Sequence, residues 1–235
     1  MVKPLIIIEE VNMKFENAYK GIKKIFTAEI LNIIAVVLGI FTALIGIITI
    51  AMAANPEITE NSVVWTTIVT IILGVAAGII GLIAFIFNIV GIVKASKDEQ
   101  GFKTAAIFVF VSIISTIVGT ILVANPIWTS IFARVSQVAQ LITIIMVIKG
   151  IMNISSQYQN NYMIEKGRTL IILTFVLHVL MIGSAIASTA LIGAGTIPYV
   201  LSLAASFAGI VQYIFYLVYL KNSMKMIESA SKQEN

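Results

Sequence analysis

Cysteine is absent from this 235-residue chain, and histidine occurs once, as His178. Without cysteine there is no disulfide framework, no thiolate metal site and no thiol nucleophile. A lone histidine with no carboxylate near it in sequence gives no metal site either. Charge is scarce as well. Asp, Glu, Lys and Arg make up 11% of residues, against about 25% in a soluble domain. The recurring motifs of catalysis are missing: no HExxH, no GxSxG, no Walker or dinucleotide glycine loop, and no pair of Asp within an apolar stretch. Their absence argues against an enzyme and against a cofactor, and it leaves any use of ATP to a partner.

What fills the chain is apolar. It is 59% hydrophobic, with a mean hydropathy of +1.04. A bilayer core of about 30 Å is crossed by roughly 20 apolar residues in a helix. Six stretches meet that length, at Ile30–Ala54, Val63–Val93, Thr104–Ala124, Ile127–Ile148, Thr169–Ala190 and Tyr199–Leu220. They predict an all-α, multi-pass membrane protein and leave no room for a soluble catalytic domain. Asn55-Pro56 and Asn125-Pro126 punctuate the first two outer turns, and Gly193, Gly195 and Pro198 the third. Trp65, Trp128 and Tyr199 follow these turns, where amphipathic rings suit the membrane interface.

The formal charge of +4 would suggest nucleic acid if it were spread evenly, but it is not. Of 15 basic residues, all but Arg134 fall at the N-terminus, in Lys94–Lys103, in Lys149–Arg168 or at the C-terminus. The intervening loops carry only Glu57 and Glu60. By the positive-inside rule both termini are cytoplasmic. An even number of spans agrees, since it places both termini on one side. The short charged run Ile92–Lys103, between two long apolar segments, is the hinge of this arrangement. No secretory signal is expected, since Met1–Glu10 holds only the apolar run Leu5–Ile8. Met1 and Met13 are both eligible translation starts. Abundant Ile, Lys and Asn point to an AT-rich bacterial genome and hence to the cytoplasmic membrane.

Residues 1–26 read as a cytoplasmic leader. Within it, Val11–Phe26 predicts an amphipathic helix with Phe15, Tyr19, Ile22 and Phe26 on one face. Lys14, Lys20, Lys23 and Lys24 would face anionic headgroups of the inner leaflet, or the helix would pack on the protein. Residues 27–220 read as a six-helix bundle of three hairpins, about 30–93, 104–148 and 169–220. Ile151–Tyr162 would extend helix 4, and 221–235 would extend helix 6. Similar spacing of the Asn-Pro turns and Pro198 suggests parallel pseudo-repeats. An amphipathic helix ahead of six spans resembles the permease halves of bacterial ABC-2-type exporters. That resemblance implies transport; the hairpin repeat is not part of that architecture.

Polar groups at membrane depth mark function or helix pairing. In helix 4, Arg134, Ser136, Gln137, Gln140 and Thr143 share about half of the surface, which predicts a polar cavity. His178, Asn88 and Gln212 are further candidates to line it, and Glu29 reads as facing the headgroups. Gly74, Gly78 and Gly81 in helix 2, and Ala205 with Gly209 in helix 6, suit close helix packing. The leading functional expectation is a small permease-like transporter or transport accessory. The alternative is a non-transporting scaffold whose basic helix ends bind another membrane subunit or a cytoplasmic partner. In intact cells, a membrane-impermeant thiol reagent is expected to label Glu57→Cys and to spare Lys97→Cys and Lys225→Cys. The opposite labelling would invert the topology.

Overall fold

The computed structural model describes residues 14–55, 60–190 and 197–233, with backbone alone at 60, 184–190, 197–207 and 233. The leader before residue 14, Glu57, Gly193, Gly195 and the side chains of Glu60 and Ala205 lie outside the described residues. The chain is all-α. Its helices are α1 (Glu16–Ala53), α2 (Glu60–Ala95), α3 (Gln100–Ile121), α4 (Pro126–Gln157), α5 (Asn161–Ala190) and α6 (Ile197–Gln233). Five of the six hold described segments long and apolar enough to cross a membrane. At 1.5 Å per residue, the 38 residues of α1 span about 57 Å, well beyond a hydrocarbon core of about 30 Å. α1 is therefore longer than a single crossing requires.

Two compact units are present, Lys24–Gly91, and Met1–Lys23 with Ile92–Asn235. In the smaller unit, α1 and α2 run antiparallel. A methyl on Gly74 would touch Thr42 and one on Gly81 would touch Ala35, while one on Gly78 meets nothing within 4 Å. Thr42, Thr49, Thr66, Thr67 and Thr70 return their hydroxyls to carbonyls of their own helix. Such back-bonding lets a threonine sit in an apolar helix without an external partner. The outer surface is aliphatic, with Ile47 65% and Ile50 73% exposed. An apolar surface of this extent needs a non-aqueous neighbour.

The core of the larger unit gathers at its basic end. Ile22, Ile92, Phe102, Ile148, Ile151, Ile154, Leu220 and Ile227 are all fully buried there. Glu99 N-caps α3 by accepting from Gly101 N at 3.1 Å, and Asn125 caps α4 ahead of Pro126. Gly101 and Gly150 bring α3 and α4 into backbone contact. A Cβ on Gly101 would lie 2.8 Å from backbone atoms of Gly150, and one on Gly150 would lie 2.8 Å from the Phe102 ring.

Two expectations need correction. The amphipathic stretch is not a helix of its own, because α1 runs unbroken from Glu16 through Phe26 to Ala53. Its first turns are packed on protein: Phe15 and Ile22 are buried, and Phe15 meets Tyr158 edge-on at 5.6 Å. Among the described residues there is therefore no separate helix of the kind on which the exporter resemblance rested. Second, Ile151–Tyr162 does not extend α4 as a whole. The helix ends at Gln157, Gln159 takes a φ of 54°, and Asn160 Oδ1 accepts from Met163 N at 3.0 Å to start α5. An asparagine cap behind a left-handed residue reverses the chain without proline or glycine. Gly101→Ala and Gly150→Ala are each expected to lower stability in detergent by about 1–3 kcal/mol, through overpacking. Gly78→Ala, which opens onto free space, should not lower the melting temperature.

Candidate functional site

Apolar helices in a bilayer have no water to satisfy polar side chains, so each such group needs a protein partner. Several of the described polar groups find partners within consecutive helix pairs. In the α1–α2 pair, Asn88 donates to Glu29 Oε1 at 3.1 Å and Asn32 to Oε2 at 3.4 Å. Glu29 is buried, 8% exposed. It turns toward Asn88 on α2 rather than outward to headgroups, because a carboxylate there can accept from two amides.

In the α3–α4 pair, the Ser112 and Ser136 hydroxyls meet at 2.9 Å and those of Thr116 and Ser136 at 3.0 Å. Gln140 donates to Ser112 Oγ at 3.2 Å. Thr143 is buried on the same face and bonds back to the Ala139 carbonyl. In the α5–α6 pair, Gln212 donates to Thr174 Oγ1 at 2.9 Å, and His178 Nδ1 lies 2.9 Å from the Thr174 carbonyl oxygen. Among the described residues no group of His, Asp and Glu could hold a metal ion.

The expected cavity residues are thus distributed rather than gathered. Asn88 belongs to the first pair, Ser136, Gln140 and Thr143 to the second, and His178 and Gln212 to the third. Arg134 and Gln137 stand apart from the serine cluster. The Arg134 guanidinium donates to Gln137 Oε1 at 2.9 Å on the exposed side of α4. Half of a helix surface is wide enough to hold two faces: Ser136 and Gln140 bond to α3, and Arg134 with Gln137 pairs along α4 itself. Gly209, like Gly78, opens onto free space. Protein-family models, curated proteins and solved structures contain no match to this chain. Its own geometry therefore carries the functional reading.

Sequence reasoning missed the junction at the basic end of the larger unit. Asp98 accepts from Asn17 Nδ2 at 2.9 Å and from Ala18 N at 2.8 Å, which caps α1 from 80 residues away. Its neighbour Glu99 accepts from Asn153 on α4 at 2.6 Å while capping α3. A carboxylate beside a helix N-terminus is favoured by unpaired N–H groups and by the helix dipole. The usable signal was two adjacent acids in an otherwise basic loop.

A second local feature of the larger unit is a groove of about 290 Å³ between α5 and α6. Its walls include Leu170, Leu173, Phe215 and Val218, with Lys166 and Asn222 also on its lining. The Tyr219 ring, 4% exposed, is part of the same lining, and its hydroxyl is buried without a hydrogen-bond partner. Gln212→Leu is expected to lower stability by about 1 kcal/mol, and a cycle with Thr174→Val should show coupling of about 0.6–1.7 kcal/mol. Arg134→Leu, at a half-exposed position bonded among the described residues along its own helix, should leave the melting temperature unlowered.

Proposed function

We propose that the protein is a non-transporting interaction platform of a bacterial cytoplasmic membrane. In this reading it has six spans in three hairpins, with both termini inside. Its basic helix ends bind an acidic segment of a cytoplasmic protein. The observation that carries the reading is the pairwise satisfaction of Asn88, Ser136, Gln140 and Gln212 inside consecutive helix pairs. Side chains that pin helices to each other need no passage beside them.

Charge at the basic end supports the same reading. Its carboxylates are largely engaged: Asp98 and Glu99 cap helices, Glu16 pairs with Lys20, and Glu228 pairs with Lys232 at 3.1 Å. The Lys20 ammonium holds the Glu16 carboxyl below its ordinary pKa. Lys149, Arg168, Lys221 and Lys225 remain exposed on helix ends in surplus over acids. Lys14, Lys20, Lys23 and Lys24 also suit anionic headgroups of the inner leaflet, each contributing on the order of 1 kcal/mol near such a surface. No enzymatic step and no cofactor enter this reading.

Transport by an assembly remains the second reading, and one observation favours it. Arg134 and Gln137 present a polar pair on the exposed side of α4, where another membrane subunit could complete a passage. Thiol access in native membranes separates the two. Ser136→Cys, Thr143→Cys and Gln212→Cys are expected to resist a water-soluble thiol reagent that modifies Lys221→Cys readily. Fast labelling of the first three would overturn the platform reading in favour of a wet passage. In parallel, a photo-crosslinker placed at Ser156 should give one discrete adduct that the double charge reversal Lys221→Glu, Lys225→Glu removes. An adduct indifferent to those charges would reject an acidic partner.

A further inference from the structure

The groove between α5 and α6 has a chemical direction. Lys166 and Asn222 lie toward the basic end, next to Tyr162, while Leu170, Leu173, Phe215 and Val218 continue along the apolar spans. From Lys166 to Leu173 the helix rises roughly 10 Å, about the length of eight methylenes. The Lys166 ammonium sits 5.5 Å from the centre of the Tyr162 ring, which holds the charge at the mouth. Among the described residues it forms no ion pair. Tyr219 and Leu170, each 4% exposed, belong to the buried part of the lining. Tyr219 is fixed by close packing, for a methyl on Gly167 would collide with its hydroxyl and with the Met152 side chain.

An apolar slot with an unpaired cation at one end suits an amphiphile with an anionic head. A soluble anion would leave the slot's apolar walls uncovered, and a neutral lipid would leave the ammonium without a counter-charge. Basic pockets between membrane helices at the inner face are suited to acidic headgroups. We propose that this groove binds an anionic phospholipid of the inner leaflet. The phosphodiester lies at Lys166, with the Asn222 amide as a neutral hydrogen-bond donor beside it. One acyl chain follows Leu170, Leu173, Phe215 and Val218. The site rests on the membrane reading of the spans and is independent of the acidic protein partner proposed above.

The test uses the full chain purified in mild detergent and titrated with phosphatidylglycerol or phosphatidylcholine, with bound lipid counted by native mass spectrometry. One phosphatidylglycerol is expected to be retained at least roughly tenfold more strongly than phosphatidylcholine. Lys166→Gln should reduce that preference about fivefold, the order expected for one lysine at an anionic surface. Val218→Trp, a substitution at a half-exposed wall position, should fill the groove and release the retained lipid without lowering the melting temperature. If that variant fails to fold, Thr169→Trp plugs the same groove from another exposed position. Equal retention of the two lipids, insensitive to Lys166→Gln, would mean ordinary annular lipid and would overturn the proposal. Displacement of phosphatidylglycerol by glycerol 3-phosphate alone would also overturn it, since the site would then read a soluble phosphate. Failure of the acidic-partner crosslink would leave these lipid measurements unchanged, so the two proposals fall separately.

Discussion

Two adjacent carboxylates hold the larger unit together at its basic end. Asp98 closes the free N–H groups at the start of α1, and Glu99 closes those of α3 while gripping Asn153 on α4. Three helices, α1 among them from 80 residues away, therefore share one four-residue turn. The close contact of Gly101 with Gly150 follows directly from this anchorage, because it falls at the first turn of the helix that Glu99 caps. Phe102 then drops onto Gly150, and Ile148, Ile151 and Ile154 of α4 are fully buried beside it in sequence. A bulkier residue at either glycine would force α3 away from the capped geometry.

Beyond that junction the helices are held differently. Apolar packing in a lipid environment gives little preference for one helix neighbour over another, because lipid tails are as apolar as leucine. Hydrogen bonds between side chains supply the preference. Ser112, Thr116, Ser136 and Gln140 lock α3 to α4, and Thr174 with Gln212 lock α5 to α6. Asn88 and Glu29 do the same for α1 and α2. Each cluster is satisfied by the helix next in sequence, so each pair can form before the others are in place.

Much of this was legible in the sequence. Long apolar stretches require helices, because only a helix satisfies its own backbone in hydrocarbon. Pro126 after Asn125 marked the start of α4 for the same local reason that it caps the helix in space. Less was legible at the charged ends. The turn at Gln159–Asn160 has no proline or glycine, and an asparagine cap resembles any other polar residue in a charged segment. The continuity of α1 was also hidden, because a change from amphipathic to wholly apolar composition looks like a boundary although the backbone crosses it unbroken.

Composition and periodicity determined that this chain is helical, that its helices suit a bilayer, and that its cations collect at one set of helix ends. Those properties depend on each residue's own solvation and on neighbours within a turn or two. Tertiary structure alone decided how the polar half of α4 divides. Ser136 turns to Ser112, whereas Arg134 and Gln137 stay on the outside of the helix. It also decided that Asp98 would cap a helix 80 residues away and that Gly101 would find Gly150. Pairings of this kind depend on which helix arrives opposite which, and a hydroxyl or carboxylate carries no local mark of its eventual partner.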